Sequence, residues 1–149
     1  MGWIGKDGVG VPVCAVETEL ANCFARAQEH GEIVEMRPGG IAKSLGASRA
    51  ATQTLVCDRN HDIRSLVISD ERAVMGCVQF AGRHRMLVEP ACGASVATMF
   101  DEELLKRVGM DETSDDGKEG PIVVIICGGA MIDEEILQRY KDEVQYKGV

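Results

Sequence analysis

The chain has 149 residues and a formal net charge of −8, because 24 acidic side chains outnumber 16 basic ones. Hydrophobic residues make up 45% and charged residues 27%, a balance that excludes a disordered chain and is typical of one globular domain. No apolar run reaches the ~20 residues that cross a bilayer, and an acidic chain without a basic cluster is unsuited to nucleic acid or anionic membranes. We therefore expect a small molecule or a second copy of the chain as the partner.

Six cysteines occur, and no two of them have the C-x-x-C spacing of metal and redox motifs. Four lie within apolar or small-residue runs, as buried free thiols usually do: Cys14, Cys77, Cys92 and Cys127. Because the first residues resemble no signal peptide, the sequence predicts free thiols in a cytoplasmic chain. The three histidines form no zinc-ligand spacing with these cysteines, so no zinc site is expected.

The first half of the chain alternates between strand and helix patterns. An apolar, β-favouring run at 11–16 predicts a buried strand that ends before Glu17. A helix is predicted from Leu20 to His30, and a second helical turn from Ile41 to Leu45. Ser69 is the predicted N-cap of a helix whose buried face carries Ala73, Val74, Cys77, Val78 and Ala81.

The second half continues this alternation. A helix is predicted over Ala94–Val108 and an acidic surface loop over Asp111–Glu119. The run Pro121–Ile126 is β-branched after its proline, so it predicts a central parallel strand buried on both faces, with Cys127 at its end. A final helix is predicted from about Asp133. The pattern predicts an α/β fold in which a mostly parallel sheet is flanked by helices, as a single unit over 1–149.

Ligands of parallel sheets bind beyond the carboxyl ends of the strands, and two such ends carry candidate site residues. Glu17 follows the first predicted strand, and Cys127, Gly128 and Gly129 follow the last. Each signal alone has an ordinary explanation. A Gly-Gly after a strand is often a tight turn, and Glu17 is suited to cap the helix that begins near Leu20.

Four segments, in this order and spacing, closely resemble the C-terminal half of eukaryotic L-serine dehydratases and related L-threonine dehydratases. They are Val16–Glu19, Ile41–Gly46, Leu87–Ala94 and Val124–Gly129. The resemblance implies part of the large domain of a pyridoxal-phosphate (PLP) enzyme of the tryptophan-synthase-β type. It also implies β-elimination of a small-molecule amino-acid substrate, L-serine or L-threonine, to pyruvate or 2-oxobutanoate and ammonia, by a homodimer in the full-length family.

The resemblance also implies roles for particular residues. Cys127 corresponds to the residue that faces the pyridine nitrogen of PLP, Gly128 would admit the ring edge, and Ser44 lies where the family has a small residue beside the cofactor. Glu17 corresponds to the carboxylate of a monovalent-cation site, expected to hold potassium, whose carbonyl ligands would come from Ala21, Leu45 and Ala47. Two alternatives stay open: Cys127 as a small buried residue, and Glu17 as a helix cap.

The chain departs from the family pattern in three motifs. No segment matches the motif of the lysine that forms the Schiff base with PLP, the loop that grips the substrate carboxylate, or the glycine-rich phosphate loop. The sequence therefore predicts no catalytic residue and a chain that does not turn over serine by itself. The alternative function is a non-catalytic α/β module that pairs with a full-length dehydratase.

Overall fold

The computed structural model describes residues 10–110 and 121–146, which form two strands, six α-helices and one 3-10 turn. The first elements are β1 (Val13–Thr18), α1 (Cys23–His30), the 3-10 turn (Lys43–Leu45) and α2 (Thr52–Asn60). The later elements are β2 (Ile63–Ile68), α3 (Asp70–His84), α4 (Pro90–Ala97), α5 (Glu102–Arg107) and α6 (Glu134–Tyr146). None of the helices in these ranges is long and apolar enough to cross a membrane.

The two strands pair in parallel over their whole length. The register runs from Val13 opposite Ile63 to Thr18 opposite Ile68. Both strands therefore end at the same edge of the sheet, where the chain continues into Glu19 after β1 and into Ser69 after β2. The predicted α/β class is confirmed, with a sheet of two parallel strands in the part of the chain that the structure describes.

Two helix ends follow the predicted chemistry. Helix α1 begins at Cys23, later than predicted, and ends at His30. The next residue, Gly31, caps the helix with a φ of 70°, the left-handed conformation that glycine adopts readily. Helix α3 begins after Ser69 as predicted, because the Ser69 hydroxyl accepts a hydrogen bond from the Arg72 N–H at 3.3 Å.

Two further boundaries differ from prediction. Strand β1 extends over Glu17 and Thr18, which the sequence places after the strand. The helix predicted over Ala94–Val108 is in fact two helices, α4 and α5. The second begins after Asp101, because the Asp101 carboxylate accepts the Glu103 N–H at 3.2 Å and so caps a new helix. The loop predicted over Asp111–Glu119 lies outside the described residues.

The prediction of a central buried strand ending at Cys127 is wrong. Residues 121–129 belong to no strand of the described sheet, and the side chains of Val123 and Ile125 are 81% and 71% exposed. A β-branched run becomes a buried strand only when neighbouring strands satisfy its backbone and other layers cover both faces. The described residues supply neither to this segment, although Ile126 packs against a core cluster that includes Val88 and Leu137.

Helices α3 and α4 pack backbone to backbone through two glycines. A Cβ at Gly76 would overlap the carbonyl oxygen of Gly93, and a Cβ at Gly93 would overlap the carbonyl oxygen of Ala73 and the Sγ of Cys77. This close approach fixes the start of α4, and with it the position of Glu89, the residue immediately before that helix.

Candidate functional site

Glu17 is buried against the N-terminus of α1, with 8% of its surface exposed. Its carboxylate accepts the N–H groups of Phe24 at 3.0 Å and Ala25 at 2.7 Å. The first N–H groups of a helix have no partner within that helix, and the helix dipole favours a negative charge there. Glu17 therefore caps α1, as the helix-cap alternative predicts. Burial and the adjacent Glu17 carboxylate raise the pKa of the Cys23 thiol.

The carbonyl ligands predicted for a cation belong to the segments around this cap. Ala21 forms an antiparallel bridge with Thr18, and the Leu45 carbonyl accepts the Ala47 N–H at 2.8 Å. No group of three or more His, Cys, Asp or Glu side chains that could hold a metal occurs within 10–110 and 121–146. The predicted potassium site has only one side-chain ligand, the Glu17 carboxylate, and its other ligands are backbone carbonyls. The absence of a side-chain cluster therefore does not bear on it, and the potassium site stays a prediction.

Two of the predicted cofactor residues, Ser44 and Gly128, are both hydrogen-bonded to a third residue at the start of α4. The Ser44 hydroxyl donates to the Glu89 carboxylate at 2.6 Å, and the Glu89 N–H donates to the Gly128 carbonyl at 3.4 Å. Gly129 lies so close to the Leu87 carbonyl oxygen that a Cβ there would overlap it. We call Ser44, Glu89 and Gly128 the α4 cluster.

Glu89 has no predicted site role, although the sequence contains a signal for it. It is a carboxylate inside an apolar run, directly before Pro90, the first residue of α4. Proline is favoured at the first position of a helix, which makes the preceding residue the N-cap. Its carbonyl oxygen accepts the N–H groups of Cys92 and Gly93, both at 2.9 Å. Glu89 thus connects the helix start, the 3-10 turn and the segment 127–129.

Cys127 and Gly128 form an open edge beside the α4 cluster. The Cys127 side chain is exposed, so the prediction of a small buried thiol at this position is wrong. Gly128 has a φ of 143° with no heavy atom near the position of a Cβ. A flat ring could approach this backbone without meeting a side chain at Gly128. The role of Cys127 opposite a pyridine nitrogen stays a prediction, and so do the cofactor contacts of Gly128 and Ser44.

The described residues fit one edge of PLP and not the whole cofactor. A PLP enzyme holds its cofactor on a lysine, and no described lysine makes a hydrogen bond to the α4 cluster. Lys106 lies 3.9 Å from Glu102, Lys141 donates to Gln138 at 3.2 Å, and Lys43 is exposed in the 3-10 turn. These residues alone therefore assign no step of a PLP reaction.

Cys127 and Cys77 should differ in how fast an alkylating reagent modifies them. Burial, together with the neighbouring Cys92, raises the pKa of Cys77 from 9.0 to about 12, so this thiol stays protonated near neutral pH. We expect iodoacetamide at pH 8 to modify Cys127 in the folded chain and Cys77 only after unfolding, as measured by peptide mass spectrometry. Equal rates at the two cysteines in the folded chain would contradict this.

The same pKa shift predicts a loss of stability at high pH. Below pH 9 the Cys77 thiol is protonated in both the folded and the unfolded chain, so it makes no pH-dependent difference. As the pH rises from 9 towards 12, the unfolded chain loses this proton more readily, and the free energy of unfolding falls.

The family described as pyridoxal-phosphate dependent enzymes matches residues 3–128, so the chain belongs to this family. The protein named "Serine dehydratase-like" from Mus musculus is 37% identical over 132 residues, which cover 88% of this chain and 40% of that protein. The L-serine dehydratase/L-threonine deaminase of Mus musculus is 35% identical over 140 residues, covering 93% of this chain and 42% of that protein. The chain thus spans about two fifths of the length of these relatives.

Solved structures agree with this family assignment. A fungal L-serine ammonia-lyase from Rhizomucor miehei superposes with a TM-score of 0.80 at 28% identity, covering 89% of this chain and 41% of that one. Maize serine racemase has a TM-score of 0.66 at 20% identity, a likeness of fold alone. The described α/β unit therefore corresponds to one part of a larger PLP enzyme fold.

Proposed function

We propose that this chain forms part of a PLP-dependent L-serine (L-threonine) ammonia-lyase. The observation that carries the proposal is the superposition on the fungal L-serine ammonia-lyase over 89% of the chain, at a TM-score of 0.80. The identity of 35% to an L-serine dehydratase/L-threonine deaminase supports the same substrates. The reaction is β-elimination to pyruvate or 2-oxobutanoate and ammonia, for which bound PLP supplies the electron sink.

In this proposal the chain supplies the edge of the site around the pyridine ring. Cys127 would be the residue opposite the ring nitrogen, and Gly128 and Ser44 would hold the ring edge. A neutral thiol is a weaker partner for that nitrogen than a carboxylate, which suits elimination better than racemisation. Glu89 orients this edge, because it bonds to Ser44 through its side chain and to Gly128 through its backbone.

A monovalent cation, potassium, is part of the proposal. Its ligands would be the Glu17 carboxylate and the carbonyl oxygens of Ala21, Leu45 and Ala47. The two hydrogen bonds that Glu17 accepts from α1 leave further lone pairs on its carboxylate oxygens. We further propose that the complete enzyme is a homodimer, as the family resemblance implies.

A chimera tests the proposed function. In it, this chain replaces the matching 41% of the fungal L-serine ammonia-lyase, and pyruvate from L-serine and 2-oxobutanoate from L-threonine are measured. We expect PLP-dependent product from the chimera. From the isolated 149-residue chain we expect neither product nor a borohydride-reducible lysine adduct. A chimera that folds and takes up PLP without eliminating either substrate would contradict the proposal.

The role of Cys127 is tested in the same chimera. Cys127→Ala should lower the elimination rate about tenfold, equivalent to ~1.4 kcal/mol of transition-state stabilisation, and should shift the cofactor absorbance. Cys57→Ala, at a partly exposed cysteine of α2, is the matched control and should change neither. Indistinguishable spectra and rates for the two variants would show that Cys127 does not act on the cofactor.

A second candidate function is the non-catalytic module that pairs with a full-length dehydratase. The observation that favours it is the uncharged run at 122–125, in which Ile122, Val123 and Ile125 are 53%, 81% and 71% exposed. A β-branched segment whose backbone has no hydrogen-bond partner among the described residues is suited to add a strand to another sheet. On this alternative, Ile125→Lys should abolish co-elution with the fungal enzyme in size-exclusion chromatography. Met131→Lys, at an equally exposed side chain outside the run, should leave co-elution unchanged. If the unaltered chain does not co-elute with the fungal enzyme, the alternative is rejected.

A further inference from the structure

An open cleft of about 280 Å³ lies where both strands end. Its walls come from Glu19 after β1, from the end of β2, from Arg72 of α3, and from Glu103 and Arg107 of α5. None of these residues belongs to the α4 cluster. The carboxyl edge of parallel strands is where α/β proteins bind ligands. A volume of about 280 Å³ lies just below the ~300–1,000 Å³ of typical ligand pockets, so only a small ligand fits here.

One of the two arginines in the cleft is already neutralised. The Arg72 guanidinium lies 3.4 Å from the Asp101 carboxylate and 3.4 Å from the Glu103 carboxylate. Two acidic groups share this one cation, so Arg72 and Glu103 leave no positive charge for a ligand.

Arg107 and Glu19 are not paired with an opposite charge among the described residues. Arg107 donates to the Val67 carbonyl oxygen at 3.3 Å, a neutral acceptor, and within the described ranges it is in no ion pair. The Glu19 side chain is exposed and likewise has no ion-pair partner among the described residues, while its N–H donates to the Ile68 carbonyl at 3.0 Å. The cleft therefore presents one positive group, Arg107, and one negative group, Glu19, that lie on different elements and have no ion-pair partner among the described residues. The three charges of Arg72, Asp101 and Glu103 sum to a further −1.

We infer that this cleft binds a small α-amino acid as a zwitterion, at a site separate from the proposed catalytic edge. The ligand's carboxylate would pair with Arg107, its ammonium group with Glu19, and a short side chain would lie against Val67. A simple anion would leave Glu19 unpaired and a simple cation would leave Arg107 unpaired, whereas a zwitterion complements both charges. Because no covalent step is involved, this inference is independent of the proposed elimination.

The test uses the 149-residue chain and L-alanine, which has no β-hydroxyl to eliminate. Titration followed by backbone NMR shifts should show saturable binding with shifts at residues 67–72 and 103–107. Glu19→Gln and Arg107→Gln should each weaken binding about two- to fivefold, the range expected for an exposed ion pair. Glu35→Gln and Arg49→Gln are matched controls, because these two residues form an exposed ion pair of 3.9 Å outside the cleft.

Charge reversal makes the test stricter. Arg107→Glu alone should abolish binding, and combining it with Glu19→Lys should restore binding, because a zwitterion can bind in the reverse orientation. Absence of saturable binding to the unaltered chain would overturn the inference. So would equal affinity for acetate or methylammonium alone, or unchanged affinity in Glu19→Gln. None of these results would affect product formation by the chimera, so the two proposals fail separately.

Discussion

Replacing Gly93 by alanine should destabilise the folded chain by about 3 kcal/mol, the upper part of the range for overpacking a closed interior. The added Cβ would overlap the Ala73 carbonyl oxygen and the Cys77 Sγ, and backbone atoms cannot rotate away as the end of a flexible side chain can. Helices α3 and α4 would have to separate. Gly76→Ala should have a similar effect, because its Cβ would overlap the Gly93 carbonyl from the opposite helix. Urea unfolding followed by circular dichroism measures both changes.

Gly82→Ala is the matched control for this prediction. Gly82 lies in the same helix as Gly76, and no heavy atom lies within 4 Å of the position of its Cβ. Alanine favours the helix over glycine by up to about 1 kcal/mol, so this variant should be slightly more stable than the parent chain. Equal unfolding midpoints for the Gly76 and Gly82 variants would show that the two helices do not approach as closely as described.

Replacing Glu17 by alanine should cost about 3 kcal/mol of stability. The change removes an acceptor from the N–H groups of Phe24 and Ala25, and a charged acceptor lost at a buried site costs more than an ordinary surface cap. Glu17→Gln keeps one acceptor oxygen and should lose less. Glu19→Ala, two residues away at an exposed position, should change the unfolding midpoint little.

The same variants test the proposed potassium site. If potassium binds at Glu17, then replacing tetramethylammonium chloride by potassium chloride should raise the melting temperature of the parent chain and leave that of Glu17→Ala unchanged. The same melting temperature in both salts would reject the cation and leave the helix cap intact.

The sequence predicts those parts of the fold whose causes are local. Ser69 starts α3 and Gly31 ends α1, because each acts on backbone groups within a few residues. Thr52–Asn60 and Ile63–Ile68 were not predicted as a helix and a strand. The β-branched residues at 63, 67 and 68 are a signal for β2, but Arg64 and Ser65 interrupt the apolar run that marks a buried strand.

The central strand fails for a different reason. Ile122–Ile126 has strong strand propensity, and propensity does not state whether neighbouring strands are present. The candidate site was likewise predicted only in part. Ser44 and Gly128 can be named from their segments, but their connection through Glu89 is a contact between residues far apart in the chain, which no local pattern encodes.

The parallel pairing of β1 with β2 also has a consequence for how the chain folds. Val13 must find Ile63 across the whole of α1 and α2, so this register closes a long loop and is expected to form late. Helices α3 and α4 are neighbours in the chain and meet through Gly76 and Gly93, which makes their contact local and fast to form. This helix pair is therefore the expected folding nucleus, and the sheet edge that carries Glu17 and Glu19 should assemble upon it.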